Sequence, residues 1–167
     1  MIDVNKKVYD KLLMQSEKID EKLVKLITVA LNDEYTATWQ YFTALALVKN
    51  NGRNDVTSEY DEHMKEEMEH IMKIVDRMKE LGVDINNDFN SIDENAHKWE
   101  KIDTFDAQSQ LIILINAEHE AIDYYREVVT YAEKIGDYVT AELFKEIMAD
   151  EVKHEYDLKT IYNDLKF

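Results

Sequence analysis

The chain has no cysteine and no proline, and only 3 glycines among 167 residues. Without thiols there is no disulfide framework, no zinc held by thiolates and no cysteine nucleophile. No stretch approaches the roughly 18 uninterrupted apolar residues of a membrane span, and the opening Met-Ile-Asp-Val-Asn-Lys-Lys-Val-Tyr-Asp lacks the apolar core of a secretory signal. A cytoplasmic protein is expected. Positive charge is also scarce: Lys and Arg number 20 against 36 Asp and Glu, a net charge of −16. Such a surface repels nucleic acid and anionic membrane unless basic residues cluster, and they do not. Even Lys6 and Lys7 lie close to Asp3, so neither partner is expected.

What remains is a chain that is 45% hydrophobic and 34% charged, able to bury a core. Its length suits one domain spanning 1–167. With no proline to break a helix, Gly52, Gly82 and Gly136 are the punctuation, each closing a stretch of helical apolar spacing. The first helix is expected over about 18–50, marked by Leu23, Ile27, Ala30, Leu31, Thr38, Tyr41 and Leu45. A second runs from Asp55 or Thr57 to Leu81 through Tyr60, Met64, Met68, Ile71, Val75 and Met78, with Thr57 or Ser58 as cap and a methionine-rich core face. A third runs from about Thr104 to Ile135 through Leu111, Leu114, Ile115, Ile122, Tyr125 and Val129. The fourth follows Gly136 with Asp137 as cap, carrying Val139, Leu143, Ile147, Val152, Leu158 and Ile161.

The first and last pairs are joined by only a few residues, whereas Val83 to Asp103 is long and polar. Two antiparallel hairpins and a long crossover make an all-α four-helix bundle whose second and third helices run parallel. A short helix is expected within the crossover, and another over residues 5–17 of an N-terminal extension at 1–17.

The second helix carries Glu67-Met68-Glu69-His70 and the fourth Glu151-Val152-Lys153-His154. A glutamate and a histidine three residues apart share one helix face. A di-metal carboxylate centre in a bundle takes such a pair from each of two helices and one glutamate from each of the others. Glu34 stands 33 residues before Glu67 and Glu118 stands 33 before Glu151, so the halves repeat one pattern. Glu34, Glu67, His70, Glu118, Glu151 and His154 are therefore the expected metal ligands and catalytic residues. Four carboxylates and two imidazoles form a shell suited to iron or manganese. Without metal, the same groups would crowd like charges in an apolar bundle, at a cost of several kcal/mol or strongly raised pKa values.

Glu94-Asn95-Ala96-His97 has the same spacing, with Asp61 33 residues before it, but falls on the crossover, where a surface role is expected. Tyr41, seven residues after Glu34, shares its face and could bond a ligand carboxylate or donate an electron, or simply be core. His63 and His119 are read as surface groups or groups touching a ligand, with binding of metal in transit as a further alternative. Glu66, Glu69 and Glu155 are read as solvated, or as mineral-nucleating if turned toward a cavity. Trp39 and the Met64, Met68, Met72 stripe are core or interface.

At these residues the sequence resembles the ferritin-like superfamily, most closely its bacterioferritin branch and the Dps-like mini-ferritins with a bacterioferritin-type centre. The likeness spans about 20–165 and rests also on Asn32-Asp33-Glu34, Gln40-Tyr41-Phe42 and Gly136-Asp137-Tyr138-Val139-Thr140 leading to Asp150-Glu151. The resemblance implies that Glu34 and Glu118 are terminal ligands with His70 and His154, while Glu67 and Glu151 bridge two irons. The implied activity is a ferroxidase, an oxidoreductase that oxidises Fe(II) with dioxygen or hydrogen peroxide. It implies storage of ferric iron in a homo-oligomeric shell and protection from oxidative stress. Manganese or zinc could replace iron, and Met68 stands where bacterioferritins bind haem. Only thirteen residues follow His154, too few for a fifth helix, which favours a 12-subunit shell over a 24-subunit one. A cysteine pair frequent in that mini-ferritin subgroup is absent. Two other readings are a rubrerythrin-like peroxidase, against which Ala121 and the missing cysteines argue, and a non-catalytic protective shell.

Overall fold

A computed structural model of the chain describes residues 20–49, 53–85, 88, 92, 96–97 and 99–165. It contains α1 (Glu21–Leu47), α2 (Asn54–Glu80), α3 (Ala107–Ile135) and α4 (Tyr138–Asp164), and no strand among the described residues. The expected extension helix at 5–17 and Gly52 lie outside them.

Local chemistry sets the boundaries. Asp20 starts α1 by accepting the Leu23 amide at 2.9 Å, later than the expected residue 18. The cap expected at Thr57 or Ser58 is not used. Helix α2 begins at Asn54 after Arg53, which makes no side-chain cap, and the Thr57 hydroxyl donates to the Asn54 carbonyl inside the first turn. That extra turn puts Val56 in the core, 1% exposed. Asp106 starts α3 three residues later than expected by accepting from the Ser109 amide at 2.9 Å and hydroxyl at 2.7 Å. At the other end, Gly136 adopts φ 84° and the Asp137 amide reaches back to the Ala132 carbonyl at 2.9 Å. Only glycine takes that left-handed conformation without strain. Asp137 then caps α4 through the Thr140 amide and also binds Arg77 of α2 at 2.9 Å.

Helix α1 packs mainly on α2 and α3 on α4, with α1 against α3 and α2 against α4. The cross-links give the directions. Asp20 meets Tyr131, Leu26 meets Tyr124 and Lys49 meets Phe105, so α1 and α3 are antiparallel. Arg77 meets Asp137 while Lys153 meets Glu66, so α2 and α4 are antiparallel too. Glu133 meets Lys145 and His119 meets Glu155, so α3 and α4 are antiparallel as well, and α2 and α3 therefore run parallel as expected. In the crossover the Ile92 amide donates to the Asp88 carbonyl and the Ala96 amide to the Ile92 carbonyl, both at 3.0 Å, while most of the short helix expected there lies outside the described residues. His97 itself is tied to α1 by two 2.7 Å contacts with Asp33.

The core is split in two. One cluster joins Leu23, Ile27, Leu31, Ile74, Val128 and Phe144, the other Tyr60, Leu111, Leu114 and Leu158. The methionine stripe is not the subunit core: Met68 is 52% and Met72 57% exposed, and only Met64 packs partly inward. Val139 and Val152 are also exposed. The apolar periodicity is wider than the face that four helices can bury, so the outer edge of each stripe faces away.

Candidate metal centre

Between the two apolar clusters lies a belt of buried charge. Glu34, Glu67, His70, Glu118, Glu151 and His154 are all buried, the most exposed being Glu118 at 4%. The helices bring them together as the spacing predicts. Glu34, Glu67, His70 and Glu151 offer donor atoms within 4.8 Å of one another, and so do Glu67, Glu118, Glu151 and His154. Glu67 and Glu151 belong to both groups.

His70 Nδ1 lies 3.1 Å from Glu151, 3.2 Å from Glu67 and 3.5 Å from Glu34. His154 Nδ1 lies 2.9 Å from Glu151 and 3.3 Å from Glu67. Yet His154 Nδ1, Glu67 Oε1 and both Glu151 oxygens make no hydrogen bond. Buried donors and acceptors are seldom left so. Lone pairs meeting at these distances without hydrogen-bond geometry are what a cation between them would resolve.

The titration behaviour says the same. Burial, then the Glu67 charge, pushes Glu34 up to about 8. Burial with Glu67 and Glu151 holds Glu118 well above the carboxylate range. Burial and then the Glu151 charge raise Glu67, but its close contacts with His154, His70 and Glu34 outweigh them and hold it below the usual carboxylate range. Burial disfavours a charged His154, yet Glu151 and Glu67 lift it to about 12, and His70 is likewise raised. Protons gather where positive charge is needed. Four carboxylates and two imidazole nitrogens in two overlapping groups thus fit a pair of divalent ions.

Outer atoms fix these side chains. His70 Nε2 faces Asp150 at 3.2 Å and His154 Nε2 faces Glu66 at 2.6 Å. Each carboxylate immediately precedes one glutamate of the belt and binds the histidine of the opposite helix. Glu66 is therefore not the solvated residue expected, being only 32% exposed with His154 as partner. Asp150 was not foreseen, although it stands 84 positions after Glu66, the interval separating Glu34 from Glu118. The same interval leads from Tyr41 to Tyr125, whose place on an apolar stripe gives no local sign of a polar role. Tyr41 donates to Glu118 and Tyr125 to Glu34 across the bundle. Burial, then those carboxylates, holds both phenols far above their usual range, so both remain donors.

His63 is not a surface group: it is 0% exposed, with Nδ1 3.1 Å from the Tyr41 hydroxyl, the touching role expected as the alternative. His119 is exposed and meets Glu155 at 3.1 Å. Glu155 is half-buried and paired with Lys159 rather than free in water. Glu69 is solvated as expected. Trp39 is 54% exposed and stacks on Phe42 on the outside of α1. A cavity of about 610 Å³ between α1 and α3 is lined by Asp33, Glu34, Glu118, Glu120 and Trp99 and reaches the belt. Among the described residues no helix is long and apolar enough to cross a membrane.

Comparison with known proteins agrees with this geometry. The chain is 28% identical over 147 residues to the bacterioferritin of Rhodobacter capsulatus, covering 86% of this chain and 84% of that one. Its structure resembles a dodecameric thioferritin, the bacterioferritin-related protein from Bacteroides fragilis, with TM-score 0.83, 31% identity and coverage of 96% and 95%. It also resembles the Rhodobacter capsulatus bacterioferritin solved with a metal-free dinuclear site and haem iron, with TM-score 0.73, 27% identity and coverage of 86% and 85%. Since the ferritin-like domain model matches residues 24–167, nearly all of the bundle, the chain belongs to the ferritin-like family.

Proposed function

We propose that the protein is a ferroxidase of the bacterioferritin kind, oxidising Fe(II) with dioxygen or hydrogen peroxide and storing ferric iron in a homo-oligomeric shell in the cytoplasm, with protection from oxidative stress as the result. The observation that carries this reading is the overlap of two buried donor groups at Glu67 and Glu151. In it, Glu34 and His70 would hold one ion and Glu118 and His154 the other, with Glu67 and Glu151 available to both.

Bound iron would supply the redox chemistry. The chain's own groups prepare the place. Asp150 and Glu66 hold the imidazoles with Nδ1 inward, and such partners commonly govern metal affinity. Tyr41 and Tyr125 fix the two terminal carboxylates. The acidic cavity between α1 and α3 offers Fe(II) and the oxidant a path, and its carboxylates attract the cation. Manganese or zinc fits the same donors.

Similarity to a dodecameric relative favours a 12-subunit shell. Exposed Trp39, Phe42, Met68 and Met72 supply apolar surface for its contacts. Met68 is open to a haem shared between subunits, which a Soret band after expression with haem would reveal. Fe(II) added in air should be oxidised at about two irons per subunit before slower uptake begins. A single slow phase with no early burst would overturn the proposal.

A further inference from the structure

On the α2–α4 face, one turn from the centre, Glu59, His63 and Asp157 bring an imidazole nitrogen and two carboxylate oxygens within 4.8 Å of one another. None belongs to the six residues above. The His63 ring is buried and stacked on His154, with centroids 4.0 Å apart, so its orientation is fixed. Glu59 and Asp157 are half-buried at the edge of the bundle.

The proton on His63 can be placed from its far side. With Glu118 ionised, as a ligand in the proposed centre must be, Tyr41 gives Glu118 its only proton; this step rests on the proposed function. The Tyr41 oxygen then accepts, so His63 Nδ1, 3.1 Å away, is the donor. A neutral imidazole protonated on Nδ1 has a lone pair on Nε2. That Nε2 lies 3.0 Å from Glu59 Oε1 and yet makes no hydrogen bond. A nitrogen lone pair and a carboxylate oxygen held this close with no proton between them are what a shared cation would resolve. Two donors 3.0 Å apart, each about 2.1 Å from one ion, subtend roughly 90° at it. Asp157 adds a second carboxylate, and among the described residues no lysine or arginine lies within ion-pair distance of Glu59 or Asp157. The nearby Lys153 is directed instead at Glu62 and Glu66, at 3.8 and 3.4 Å.

We propose that Glu59, His63 and Asp157 hold a third divalent first-row metal ion, linked to the dinuclear centre through His63, Tyr41 and Glu118. One imidazole and two carboxylates suit Fe(II), Mn(II) or Zn(II). An ion on Nε2 fixes the His63 tautomer and so keeps the Tyr41 proton directed at Glu118. Being nearer solvent than the buried pair, it exchanges more readily.

Zn(II) is the probe. Crystals of the whole protein soaked in Zn(II) should show three anomalous peaks per subunit, the third about 2.1 Å from His63 Nε2. The double variant Glu59→Gln, Asp157→Asn should keep the central two and lose the third, with one ion per subunit fewer bound in solution. Should the double variant fold poorly, Asp157→Asn alone serves the same comparison. Two central peaks with none beside His63 overturn the proposal, and so does a third peak unchanged in the variant. Loss of the central pair with Glu151→Gln, while the third peak stays, tests the dinuclear reading separately.

Discussion

Tyr125 on α3 gives its hydroxyl proton to Glu34 on α1, the mirror of the bond from Tyr41 on α1 to Glu118 on α3. Each phenol stands seven residues after the glutamate of its own helix but serves the glutamate of the other. Removing either hydroxyl leaves a buried carboxyl oxygen without this donor, at a cost of about 1–3 kcal/mol. Tyr125→Phe and Tyr41→Phe should each lower the stability of metal-free protein by that amount, and less when metal satisfies the carboxylate. Urea denaturation with and without Zn(II) measures the difference.

Glu67 and Glu151 stand in both donor groups, so losing either damages both ions' sites. Glu67→Ala and Glu151→Ala should abolish the rapid early phase of Fe(II) oxidation while leaving the helical circular dichroism largely unchanged, since each removes a crowded buried charge. A variant that oxidises iron as fast as the parent would show that the bridging assignment is wrong.

The carboxylates behind the histidines matter at one remove. Asp150→Asn and Glu66→Gln keep the shape but weaken the hold on His70 and His154. Metal affinity should fall about 10–100-fold. Competition with a coloured chelator would read it, and unchanged affinity would reduce both residues to bystanders.

Proton release follows from the raised groups. Burial and Glu67 lift Glu34 to about 8, and Glu151 with Glu67 lifts His154 to about 12 against burial, so both hold protons near neutrality without metal. Ligation requires the unprotonated forms. Metal uptake should therefore expel protons, and affinity should rise with pH through the neutral range. Calorimetry in two buffers of different ionisation enthalpy checks the sign.

Asp137 joins two helix ends, capping α4 and binding Arg77 of α2. Burial raises its carboxyl, but bonds from Thr140 and the Arg77 charge prevail and hold it below the usual range. A depressed folded value means stability present above the unfolded pKa of about 3.9 and lost as pH falls through the folded value. Asp137→Ala should cost about 1–2 kcal/mol at pH 7, and Asp137→Asn less. In acid the gap between parent and Asp137→Asn should close, as thermal melts at several pH values would show.

The four helices, the parallel α2 and α3, and the meeting of four glutamates and two histidines were legible because helical period, two glycine stops and a repeated spacing all express one geometry. Helix starts were less so: Thr57 looks like a cap until Val56 is seen to need burial. Glu66, Asp150 and Tyr125 were missed for a shared reason. An acid beside a ligand reads as surface and a tyrosine on an apolar stripe reads as core, because partners on other helices are invisible to local pattern. The 84-residue interval would have exposed all three. The exposed methionines show the converse: periodicity reports which residues share a stripe, not how wide a stripe three neighbours cover.

Apolar packing that stops short of the middle leaves the bundle with a waist. Above and below it, oily layers grip all four helices on their own; at the waist, cohesion depends on how much positive charge is present to bind the acids together. The metal-free subunit should accordingly breathe there first, its amides near Glu34, Glu67, Glu118 and Glu151 exchanging with solvent while both ends stay shut, so that any cation bound there would act as a rivet.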